Sequence, residues 1–178
     1  MTLKNLKIID IFIIFILTFL FHFAYDLFPN KLFAILFPVN ESIWEHMKLL
    51  YTPVIVSGVI DMIISIRKNI KFNNLFISIF LSSLISIITY LIIYLPINSL
   101  IGYNSLFAIT LLFLIIILNQ YISYKILSSK GAKKINIIAI IFIIIGFIIF
   151  GYLTYNPIKS NLFYDTKNEK YGINIYKI

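Results

Sequence analysis

Asn40-Glu41-Ser42-Ile43-Trp44-Glu45-His46-Met47-Lys48 brings two carboxylates, an imidazole, an ammonium and the chain's single tryptophan into one short stretch. Upstream, His22 and Asp26 stand i, i+4, so on a helix they share a face. Imidazole nitrogens and carboxylate oxygens are suitable ligands for zinc or another divalent transition metal. Without a metal the same groups can serve as a general acid and base. The candidate metal ligands are therefore His22, Asp26, Glu45 and His46. The candidate acid–base groups are His46, Glu45 and Glu41, with Asp165 and Lys48 expected to support them. Cysteine is absent, which excludes disulfides, thiolate metal sites and cysteine nucleophiles.

The elements that position these residues are apolar helices. The 178-residue chain is 61% hydrophobic and 12% charged, the composition of an integral membrane protein rather than a soluble domain. A crossing needs about 20 apolar residues, so the length suits one all-α polytopic bundle of about five spans. Hydropathy, prolines and basic stops predict spans over about 8–28, 42–66, 75–95, 104–127 and 135–155, with a polar tail over 156–178. Pro53 is expected to kink the second span, and Pro96 to close the third. The segment from Lys31 to Val39 is too short to cross and is expected at the interface. Ser42-x-x-Glu45 has capping-box spacing at the start of the second span.

The net charge of +8 need not mean nucleic acid. Lys4, Lys7, Arg67, Lys68, Lys71, Lys125, Lys130, Lys133 and Lys134 all fall at alternate span ends. The positive-inside rule then predicts a cytoplasmic N-terminus, an external tail and the bilayer as the principal partner. In that topology His22, Asp26, Glu41, Glu45, His46, Lys48 and Asp165 converge at the extracytoplasmic side of the cell membrane. With position 41 already helical, Glu41, Glu45 and Lys48 would form one stripe and His46 would stand about 100° around from Glu45.

Each polar group also has a structural reading. Glu45 can cap its helix, Lys48 can neutralise it, and Trp44 can belong to an interfacial aromatic belt. Asp61 is expected to reach toward Arg67 or Lys68. Asn119 and Gln120 are expected to bond between helices, and Ser82, Ser83, Ser86 and Thr89 to form a packing face. Neither an HExxH pattern nor a glycine-rich phosphate loop is present. Two function classes follow: a metal-binding or hydrolase-like site, or a non-enzymatic transporter, binding protein or complex subunit with a structural polar network.

The nine-residue motif, with His22-Phe23-x-Tyr25-Asp26 before it and Phe163-x-Asp165 and Tyr171-Gly172 after it, resembles a family of small membrane proteins from low-GC bacteria. That family is known only as a domain of unknown function. The resemblance implies fold and membrane location, and brings no activity with it.

Overall fold

The computed structural model describes residues 1–173; the last five positions of the expected tail lie outside the described residues. The long helices are α1 (Leu3–His22), α5 (Lys48–Lys68), α6 (Leu75–Ile101), α7 (Ser105–Leu127) and α8 (Lys133–Tyr155). Three short ones, α2 (Ala24–Leu27), α3 (Lys31–Leu36) and α4 (Ile43–His46), join α1 to α5. In the tail, β1 (Tyr164–Asp165) and β2 (Lys170–Tyr171) pair antiparallel. Helices α1, α5, α6 and α7 close into a four-membered ring of neighbours, and α8 packs outside it against α6 and α3. The chain is an all-α polytopic membrane bundle.

Among the described residues, four stretches are long and apolar enough to cross a membrane: Ile43–Lys68, Leu75–Ile101, Ser105–Leu127 and Lys133–Tyr155. Their outward faces are largely isoleucine, leucine and phenylalanine, as lipid contact requires. Inside, packing relies on small polar residues. Ser78, Ser82 and Ser86 of α6 meet Ser123 and Asn119 of α7, with Ser78 Oγ donating to Ser123 Oγ (2.8 Å) and Asn119 Nδ2 to Ser86 Oγ (2.8 Å). The Asn119–Ser86 bond is the interhelical bond expected of Asn119, whereas Gln120 Nε2 donates to Asn119 Oδ1 within α7 instead of crossing to another helix.

Both prolines inside helices behave as a membrane interior allows. Pro53 has no N–H for the carbonyl of Leu49, and that carbonyl instead accepts from Thr18 Oγ1 of α1 at 3.3 Å. The would-be kink is thus also a cross-link. Pro96 does not close α6, contrary to expectation. The helix runs on to Ile101 and stops at Gly102, whose φ of +74° is the left-handed backbone that ends a helix.

The tail is more structured than its polarity suggests. Phe163 is buried and stacks on Trp44 at 4.8 Å, while the backbone N–H of Trp44 donates to Leu162 O at 2.9 Å. Gly172 has φ +59°, and a Cβ there would stand 2.7 Å from Thr154 O, so only glycine fits. Trp44 is therefore a docking post for the tail rather than a belt residue alone.

Candidate metal centre

The site is built from three chain segments that are separate in the sequence. His22 is the last residue of α1. His46 is the last residue of α4, and Glu41 precedes that helix in a bend. Ser42 caps α4 by accepting from Glu45 N–H at 3.3 Å. The capping box is only half formed, because the Glu45 side chain turns away and Asn40 Oδ1 takes the Ser42 N–H at 2.8 Å. Since position 41 lies outside the helix, Glu41 does not join Glu45 in a stripe. It is free to point at the histidines.

Ligand atoms of His22, Glu41 and His46 all lie within 4.8 Å of one another. Nε2 of His46 is 3.4 Å from Glu41 Oε2, and Nε2 of His22 is 3.9 Å from Glu41 Oε1. The imidazole centroids are 5.2 Å apart. All three side chains are partly exposed, so the cluster opens to the surface. For comparison, tetrahedral zinc with bond lengths of about 2.05 Å sets its ligand atoms about 3.3 Å apart. The 3.4 Å separation already matches that distance, while the widest, up to 4.8 Å, must close by about 1.5 Å.

Two further contacts bear on what the cluster can do. His46 Nδ1 lies 2.8 Å from Ser42 O, and donation of its N–H to that carbonyl leaves Nε2, the atom facing Glu41, to point a proton at the carboxylate or, once that proton is lost, to ligate a metal. A ring N–H held by a backbone carbonyl is the usual support behind a metal-binding histidine. Behind Glu41, its backbone N–H donates to Asp165 Oδ2 at 3.3 Å. Asp165 in turn ties its own loop through Lys167 N–H, Asn168 N–H and Asn168 Nδ2. Asn40 Nδ2 donates to Gly172 O at 2.9 Å, so the hairpin and the motif loop hold each other.

The electrostatics follow from these contacts. A hydrogen bond from the His46 ring holds the Glu41 carboxyl down at about 2, against the upward push of burial; the charges of His46, of His22 when protonated, and of Lys167 add to the lowering. Burial would raise Asp165, yet the hydrogen bonds it accepts from Asn168, Glu41 and Lys167 bring it below the usual range. Both carboxylates are therefore ionised at neutral pH. Lys167 Nζ is 3.7 Å from Glu41 Oε1 on a side chain that is 73% exposed, so it can swing aside at little cost.

Glu45 and Lys48 lie elsewhere. Both are almost fully enclosed, and Lys48 Nζ donates to Glu45 Oε2 (2.6 Å), Thr154 Oγ1 (2.8 Å), Ala34 O (2.7 Å) and Phe37 O (3.2 Å). Glu45 also accepts from Val39 N–H at 3.1 Å and from the Thr154 hydroxyl at 2.7 Å. The pair pins α3, α4, α5 and α8 together and leaves no donor or acceptor spare for a substrate. Asp26 is exposed on α2 and its carboxylate is not among the convergent atoms. Of the expected ligands, then, His22 and His46 meet, Glu41 joins them, and Glu45 and Asp26 do not.

Helical spacing could not find this exchange, because it placed position 41 on a helix. A second cluster also differs from expectation. Asp61 does not reach toward Arg67 or Lys68. It is fully buried and paired with Lys7 of α1, whose Nζ also donates to Asp10 Oδ2 at 2.8 Å. Asp10 sits three residues after Lys7 in an amphiphilic helix start, and only that i, i+3 spacing hinted at the pairing.

A polytopic membrane bundle carrying a two-histidine, one-carboxylate cluster at one end is the class of protein that fold and site define. Residues 1–173 match the family of unknown function DUF6512, and the chain belongs to that family. No curated protein and no solved structure matches the chain.

Proposed function

We propose that this is a five-span protein of the cell membrane that binds a divalent transition metal, zinc by its ligand types, at an extracytoplasmic site made of His22, Glu41 and His46. The single observation that carries the reading is the convergence of three ligand atoms from three segments within 4.8 Å. The lysine-rich ends of α5, α7 and α8 support a cytoplasmic placement for the opposite end of the bundle. Counting α1 as a span places the N-terminus there too and the tail hairpin outside.

Two imidazoles and one carboxylate are a ligand set that zinc takes when a further position stays open to water or substrate. That makes metal-assisted hydrolysis the reaction class the site fits best. In such a site Glu41 is a ligand, and Asp165 acts by fixing the Glu41 backbone. Glu45 is committed to Lys48 and Thr154 and takes no part.

Elemental analysis of protein purified in detergent without chelators, then supplied with zinc and washed, tests the reading. About one metal per chain is expected, lost in both His22→Ala and His46→Ala. A wild-type chain that retains no zinc, copper, nickel, iron or manganese under these conditions overturns it.

A further inference from the structure

At the opposite end of the bundle from the histidines, two carboxylates and one ammonium are enclosed together. Lys7 and Asp10 come from the first turns of α1 and Asp61 from the second half of α5. Lys7 Nζ bonds one oxygen of each carboxylate, Asp10 Oδ2 and Asp61 Oδ2. Their other oxygens, Asp10 Oδ1 and Asp61 Oδ1, have no hydrogen-bond partner among the described residues. Ser57 Oγ and Gln120 Oε1 are buried and unpartnered as well. Asp61, Ser57 and Gln120 all border one internal cavity of about 10 Å³, room for about one water molecule.

With both carboxylates ionised, the triad carries one uncompensated negative charge. A charge enclosed at membrane depth is expensive unless it is paired or neutralised. The elements around the cavity offer no second cation. From α1 come Lys7 and Asp10, from α5 Asp61, from α6 Ser78 and Ser82, and from α7 Gln120 and Ser123. Neither α6 nor α7 presents a titratable side chain to it. One added hydrogen on a carboxylate oxygen would make the triad neutral. It would also give that oxygen an O–H to donate, beside a cavity that Ser57 and Gln120 line as well and that has room for about one bridging water.

We propose that Lys7, Asp10 and Asp61 form a proton-binding site inside the bundle, with the exchangeable proton on Asp61, whose Oδ1 is unpartnered and which borders the cavity. A hydronium ion in the water at the lysine-rich end gives up one O–H bond as the Asp61 carboxylate gains one, and the reverse transfer returns the proton to that water. The site is independent of the metal centre. Asp10 and His22 stand about 18 Å apart along α1 at 1.5 Å per residue. It would suit a protein whose internal packing follows the proton concentration on that side.

The test is infrared spectroscopy of the full chain in lipid nanodiscs, scanned from roughly pH 5 to pH 9, around the neutral range in which ordinary carboxyls are already ionised. The wild type should show one carboxylic-acid C=O band that is lost as the pH rises. That band should be absent from Asp61→Asn. It should also be absent from Asp10→Asn, where the remaining carboxylate pairs one-to-one with Lys7. In Lys7→Met the band should persist to higher pH, because the ammonium that favours ionisation is gone. Thermal unfolding of each variant separates a missing band from a missing fold, and the wild-type scan stands even if a variant does not fold. The proposal is overturned if the wild type has no titrating buried carboxyl, or if the band follows sodium at fixed pH rather than pH itself.

Discussion

Glu45 and His46 are neighbours in the chain and end in opposite chemical settings. The Glu45–Lys48 pair is closed: every oxygen and the ammonium have partners, and both side chains are out of contact with solvent. The His22–Glu41–His46 cluster is open: its ligand atoms face each other across gaps of 3.4 and 3.9 Å at a partly exposed surface. Saturated polar groups hold a fold together, and unsaturated ones that converge are available for a ligand. Residue type does not tell them apart, since each cluster has a carboxylate and a nitrogen base.

The contrast can be broken by exchanging which cluster matters for what. The largest effect is expected for Lys48→Met, which leaves Glu45 enclosed without its cation and should cost about 3–5 kcal/mol, read as a fall in the thermal midpoint in detergent. Glu45→Leu with Lys48→Met should cost less than the two single changes added together, because the orphaned charge disappears. His46→Ala should do the reverse. Stoichiometric metal should be lost while stability stays within about 1 kcal/mol, and an equally large loss of stability would erase the distinction.

Asp165→Ala sharpens the comparison, since Asp165 holds the Glu41 backbone and its own loop without bonding the Glu41 carboxylate or either imidazole. A fall in metal affinity of roughly 10- to 100-fold is expected, by isothermal titration with zinc, with stoichiometry unchanged. Acidity provides another probe. Glu41 is held at about 2 by its His46 neighbour, so it stays ionised throughout the range in which imidazoles take up protons. Zinc affinity should then fall about tenfold per pH unit for each histidine that must give up its proton, and a decline confined to the carboxylate range would count against histidine ligation. The contribution of Glu41 to stability falls in a lower pH window. The folded chain favours ionised Glu41, so the stability it adds is present above its ordinary value of 4.5 and is lost as pH falls toward about 2. The smallest effect belongs to Lys167→Ala, a surface partner of Glu41, which should change stability by no more than about 0.5 kcal/mol.

Much of the architecture could be read from the residues alone. Runs of isoleucine, leucine and phenylalanine long enough to cross a bilayer mark α5, α6, α7 and α8, because lipid imposes one hydropathy threshold on every span. The interhelical partnership of Asn119 was legible for the same reason: a polar amide in such a helix must find a partner. That His22 and His46 would meet followed from two antiparallel helices joined by a short connection. Local conformation decided the rest. Glu41 entered the cluster because the chain is not yet helical there, and Glu45 left it because Lys48, Thr154 and the backbone of Val39 absorbed its carboxylate. Thr154 is 109 positions from Glu45, and no local spacing rule reaches that far. The tail hairpin was hidden likewise, its hold depending on Phe163 against Trp44. The sequence by itself determined that imidazoles and carboxylates would gather at one end of a membrane bundle. Only the tertiary structure decided which carboxylate stands open beside the histidines and which is locked as a staple, because that depends on which partners saturate each one first.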